Sequence, residues 1–277
     1  MACLRAPASK AVRPDGLLVL GLVESMQITK QFRKNKLDFR WTVFIRSDVY
    51  EFIVRDMADY GKHAAQTLEW DDDELLKRLL RKRIESSSAV GTQPWEVLWQ
   101  TISLSTVRGQ DTLDFLVRCS LMRPRYLIRM FETAKRRAIN MGHQKIQEAD
   151  YLAALEELGW TVMEDLNLEL RDIVNSAGRL LYDIAQLDGA CGLPELREAV
   201  AKRVGATQVV DKVIDVLLWS AAIGIAPHLE ATFIYDCGYK LEFLRSLIDC
   251  NPHAEVCLHP TLRHLFAALP APTTVAA

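Results

Sequence analysis

The side chains that could carry chemistry in this chain are arginines, lysines, histidines, cysteines and carboxylates, and their spacing excludes more than it admits. A phosphate cradle needs G-x-x-x-x-G-K-[ST], because glycine amides must approach the phosphates while the lysine reaches the terminal ones. Gly61-Lys62 is followed by His63 and lacks the earlier glycine, and Gly205 to Lys212 has neither the spacing nor the hydroxyl. The six histidines, His63, His143, His228, His253, His259 and His264, include no H-E-x-x-H pair. His253 and His259 lie near Cys250 and Cys257, but that spacing fits no zinc module, so no metal site is expected. The six cysteines, Cys3, Cys119, Cys191, Cys237, Cys250 and Cys257, form no C-x-x-C pair and read mostly as buried reduced thiols. No serine sits in a G-x-S-x-G elbow, and no carboxylate has a sequence partner for acid and base work.

Two charged clusters stand out. Asp71-Asp72-Asp73-Glu74 reads as a helix start, where carboxylates cap free N–H groups and complement the positive end of the helix dipole. Lys77, Arg78, Arg81, Lys82 and Arg83 follow on the same helix. They could attract an anionic partner, though a solvated face near a helix C-terminus is the preferred reading.

The elements that must position these groups are mainly helical. A length of 277 residues favours two compact units, and a hydrophobic content of 49% with 25% charged residues is that of a globular chain. Residues 151–277 carry 9 Lys+Arg against 17 Asp+Glu, a balance of −8, and subtraction from totals of 34 and 36 leaves 25 and 19, or +6, for residues 1–150. No apolar run approaches the ~20 residues needed to cross a bilayer, and no signal peptide is recognisable at the start, so the protein is expected in the cytoplasm with no membrane partner.

Periodicity predicts helices over Leu17–Arg33, Asp71–Ile84, Trp95–Ile102, Thr112–Ser120, Tyr126–Asn140, Gln147–Leu158, Leu166–Leu187, Leu193–Val204, Thr207–Ala222, Tyr239–Ile248 and Thr261–Leu269. Trp41–Ile45 reads as a buried strand. Ile223–Ala226 and Thr232–Tyr235 read as two strands joined by a tight turn, and a short apolar segment lies near Val256–Leu258. Three helices followed by a hairpin is the order of a winged helix-turn-helix.

In sequence order, Val43-Phe44-Ile45-Arg46-Ser47-Asp48-Val49-Tyr50, then Leu68-Glu69-Trp70 before the Asp71–Ile84 helix, then Arg123-Pro124-Arg125-Tyr126-Leu127-Ile128 resemble the later half of bacterial P-loop ATPases of the STAND and AAA-like type. The resemblance implies a fold class that is mainly α with minor β: a remnant of an α/β nucleotide-binding domain over 1–70, a helical lid over 71–158, a winged helix over 159–269 and a disordered tail over 270–277. It makes Arg46 and Asp48 sensor-like, and Arg123 or Arg125 the cation toward a terminal phosphate, a role suited to a forked, permanent charge. The alternatives are a surface ion pair for Arg123 and Arg125 and a helix cap for Asp48.

The chain departs from that family where phosphoryl transfer is decided. It lacks the phosphate loop, and Leu17-Leu18-Val19-Leu20 runs into Gly21 where an acidic pair would hold magnesium. The expectation is therefore a non-enzymatic C-terminal portion, either a truncated product or a subunit completed by another chain. It would need no cofactor alone, and ATP with magnesium only when completed. A protein partner or self-association is expected. Direct DNA contact would fall to Gln208 and Lys212 on the second motif helix, but Asp211 and Asp215 flank Lys212, the wrong sign for phosphate attraction.

Overall fold

The computed structural model describes residues 68, 70–87, 93–171, 173–174, 177–185, 190–204, 207–226, 231–251 and 254–268. All of these except Leu68 belong to the unit Glu69–Ala277. The expected helix Leu17–Arg33, the strand Trp41–Ile45 and the tail 270–277 lie outside the described residues. The described chain is mainly helical, with one two-stranded and one three-stranded antiparallel sheet.

Helix α1, Asp73–Ser87, begins where Asp72 Oδ1 accepts from the Glu74 amide at 2.8 Å, and it buries Leu76, Leu80 and Ile84 on one stripe. Helix α2 spans Trp95–Ile102. Strands β1, Thr106–Val107, and β2, Gln110–Asp111, form a hairpin whose two-residue turn puts both Arg108 (φ 50°) and Gly109 (φ 77°) in the left-handed region, as a tight hairpin requires. Asp111 then caps α3, Thr112–Cys119, by accepting from the Leu113 and Asp114 amides.

Helix α4, Pro124–Met141, carries proline in its first turn and stops at Gly142 in a left-handed cap. Helix α5, Glu148–Arg171, runs back along it, with Arg125 reaching Asp165 near one end and Arg136 reaching Glu157 further along. The expected boundary between a lid over 71–158 and a winged helix over 159–269 falls inside α5, where Leu158 and Gly159 are adjacent residues of one helix. A Cβ at Gly159 would stand 2.8 Å from Leu265 Cβ and 3.3 Å from the Thr261 carbonyl, so the residue is bare to let α10, Pro260–Ala268, lie close.

The remaining elements are α6, Ala177–Ala185; β3, Ala190–Gly192; α7, Leu193–Val204; α8, Thr207–Trp219; β4, Ile223–Ala226; α9, Leu241–Cys250; and β5, Glu255–Leu258. The strands lie in the order β3-β5-β4, with Cys191 opposite Val256 and Ile225 opposite Val256 on the other side. The single helix expected over Leu166–Leu187 is two, α5 and α6.

The expected strand Thr232–Tyr235 is replaced by one bridge, Ile225 to Thr232, and a 3-10 turn at Ile234–Cys237. The Asp236 carboxylate accepts from the Phe233 amide at 2.8 Å and curls the chain, so the alternating aromatics pack on His259 instead of extending a ladder. The strand that does pair with β4 is β5, on the far side of α9.

Candidate functional site

The junction between α3 and α4 gathers the two arginines singled out from sequence. Leu121 (φ 53°) and Met122 (φ 52°) are both buried in the left-handed region, a costly backbone for side chains of that size, and they set Arg123 at the entrance to α4. Arg123 donates from Nη2 to the Ser220 carbonyl at 3.2 Å and from Nη1 to the Tyr126 hydroxyl at 3.5 Å, with its guanidinium 5.4 Å from the Tyr126 ring centre. It is thus spent on holding the end of α8 against α4.

Arg125 is different. It is 71% exposed and donates from Nη2 to Asp165 Oδ2 at 2.5 Å, its guanidinium 5.1 Å from the same ring. The Tyr126 hydroxyl donates to the same Asp165 oxygen at 2.5 Å, and burial, reinforced by that carboxylate, holds the phenol above its usual range. Only Arg125 of the two has a guanidinium open to an incoming anion, which would have to compete with Asp165 for it.

Arg46 and Asp48 lie outside the described residues. Gln208 is on α8, but its side chain is outside the description. Lys212 is exposed on α8 between two carboxylates already held by arginines: Arg197 Nη1 donates to Asp211 at 2.7 Å, and Arg245 forks onto both oxygens of Asp215. Both acids that flank Lys212 are thus paired with arginines from neighbouring helices.

The basic cluster of α1 is partly paired. Lys77 contacts Glu74 at 2.7 Å and Asp114 at 2.6 Å, and the Asp114 contact first, then Glu74, raises its basicity. Arg81 pairs with Glu85 and lies 5.4 Å from the Trp95 ring centre. Glu74, Lys77, Arg81 and Trp95, together with Asp72, Leu75, Arg78 and Leu113, line an open groove of about 370 Å³ whose walls carry both signs of charge.

Sequence reasoning missed Asp165, which lies 39 and 40 residues from its partners and is brought to them only by the antiparallel return of α5. His259 is weighed from sequence only as a metal ligand, beside His253, Cys250 and Cys257, and its place in the core is missed. That ring is fully buried, edge-on to Phe233 and Tyr235, accepts at Nδ1 from the Thr261 amide at 3.3 Å, and has no hydrogen-bond partner at Nε2 among the described residues. Burial first, then Arg118, Arg123 and Arg263, push it down to about 3, so it is a neutral core group. Cys119 is likewise buried, with its thiol pushed up to about 12, mainly by burial. Among the described residues no cluster of three or more His, Cys, Asp or Glu could hold a metal, and no helix is long and apolar enough to cross a membrane.

Residues 74–167, from the first turn of α1 to near the end of α5, match the family model described as a FunZ-associated C-terminal helical domain. No curated protein and no solved structure matches the chain.

Proposed function

We propose that this chain is a non-catalytic C-terminal portion of a P-loop ATPase of the STAND or AAA-like type, a regulatory or interaction module coupled to nucleotide state, in signalling or in defence against mobile DNA. The observation that carries the reading is that the stretch matching a C-terminal helical domain belongs to the same compact unit as α6, β3, α7, α8, β4 and β5, whose strands lie in the order β3-β5-β4. Helix, strand, two helices and two further strands in that sheet order support a winged helix built onto the helical domain. The ATPase attribution itself leans on the sequence motifs, and fold resemblance alone fixes no activity.

The face of α8 favours a protein contact over duplex DNA, because Asp211 and Asp215 stand where a groove reader would present cations. An alternative is a subunit completed by a partner, with Arg46 or Arg125 serving in trans, and the 71% exposure of Arg125 is the feature favouring it. DNA binding through α8 is the remaining reading, and it would show a steep loss of affinity with salt.

The test is calorimetric titration of the full chain with magnesium-ATP, beside an Arg125→Ala control and a mobility shift on duplex DNA at two salt concentrations. The proposal expects no heat, no hydrolysis and no shift. Tight ATP binding lost in the control would overturn it by revealing a phosphate site in this chain, and a salt-dependent shift would move the reading to a DNA-binding regulator.

A further inference from the structure

Helix α9 sits where a winged helix would have a short wing, inside residues 227–254 between β4 and β5, and it does not point away from the module. Arg245 donates from Nε to Asp215 Oδ1 at 2.9 Å and from Nη2 to Asp215 Oδ2, and from Nη1 to Glu242 at 3.4 Å. Tyr239, just before α9, stands edge-on to Trp219 at the end of α8, ring centres 6.3 Å apart. Asp215 and the half-buried Trp219 of α8 thus have neighbours supplied by α9 and the turn before it.

From these contacts we propose that α9 is a strap that closes over α8 and opens as a unit, independently of the sheet it is threaded through, so that access to the outer side of α8 is gated. The strap is a matter of packing and stands whether or not the chain responds to nucleotide. Three features make it separable. Its apolar anchoring is thin: Leu244 is its one fully buried side chain, with Leu241, Leu247 and Ile248 half-buried, whereas α8 buries Val210, Val213, Ile214, Leu217 and Leu218. Local opening begins where buried apolar contact is sparse. Its first turn has no side-chain cap, since Lys240 occupies that position, and a helix of 10 residues has little stability of its own. Its entry is a hinge: Gly238 and Tyr239 both have φ of 57°, a strained value for tyrosine that release of the strap would relieve.

The clasp is Arg245 on Asp215, a two-point fork between groups with 40% and 25% side-chain exposure. The experiment is native-state hydrogen exchange on the full chain as wild type, Arg245→Ala, Asp215→Asn and the double variant. The strap predicts that amides of Leu244 to Cys250 exchange faster than those of β5 and α8 in the wild type while still being protected. Each single variant speeds them roughly three- to tenfold, and the double variant adds nothing to either single, because both remove one interaction. Amides of β5 stay unchanged throughout. Exchange of α9 and β5 at a single common rate would overturn the proposal, since α9 would then open only with the whole sheet. Additive effects in the double variant would overturn the clasp.

Discussion

At the scale of single residues, close approach matters more than charge. Gly159 is a point of close approach between α5 and α10, and the atom a Cβ would meet at 2.8 Å is Leu265 Cβ, which is fixed to its own backbone and cannot rotate aside. A Gly159→Ala substitution gains ~1 kcal/mol in helix propensity, but overpacking of this kind costs ~1–3 kcal/mol, and the rigid neighbour puts the cost at its upper end. The expected outcome is a net loss of stability in denaturant titration, with faster hydrogen exchange confined to α10 and the facing turns of α5. A net gain would mean that the two helices are free to part. Neither Gly159 nor Asp165 could be read as a packing or pairing residue from sequence, because each takes its meaning from a residue tens to a hundred positions away. Arg125, by contrast, is singled out in sequence by the resemblance of the motif Arg123 to Ile128, with Pro124 marking the helix entrance beside it.

At the scale of elements, legibility follows the length of the periodic pattern. Helices α1, α2, α7 and α8 fall close to their expected positions because each repeats an apolar position over two or more turns, as Leu76, Leu80 and Ile84 do in α1. The strands were harder. β1 and β2 are two residues each, and β3 is Ala190-Cys191-Gly192, too short and too small to show alternation. Thr232–Tyr235 did alternate, but its aromatics serve the contact with His259. For α1 the stripe makes a quantitative claim. Leu80 is 1% exposed, so Leu80→Ala removes buried methylenes and leaves a cavity, and the unfolding free energy should fall by about 2–5 kcal/mol. A change below ~1 kcal/mol, within the range of surface substitutions, would show that α1 is not docked on the core formed with α3 and α4.

At the scale of the whole molecule, the buried imidazole of His259 links stability to pH. Its folded value lies far below the ordinary histidine value, near 3, chiefly through burial and then through Arg118, Arg123 and Arg263. Above pH ~6.5 the ring is neutral in both the folded and the unfolded chain and does not shift the balance. Below that, the unfolded chain takes up a proton that the folded chain refuses, so stability is lost as pH falls, at up to ~1.4 kcal/mol per pH unit until the folded value is reached. His264 is lowered by burial and by Arg108, and acts in the same direction more weakly because it is partly exposed. Asp183, lowered by Arg203, adds a further loss only below the ordinary carboxylate range. Asp236 is raised by burial and works the other way, favouring the folded chain in acid. Between pH 6.5 and 5 the histidines therefore dominate, and the unfolding free energy should drop by ~2 kcal/mol. In His259→Phe, which keeps the aromatic contacts with Phe233 and Tyr235 and cannot titrate, the curve over that interval should flatten even though the variant loses the Thr261 amide contact. Parallel wild-type and variant curves in denaturant titrations at pH 7, 6 and 5 would assign the acid sensitivity to another group and place His259 outside the sealed core.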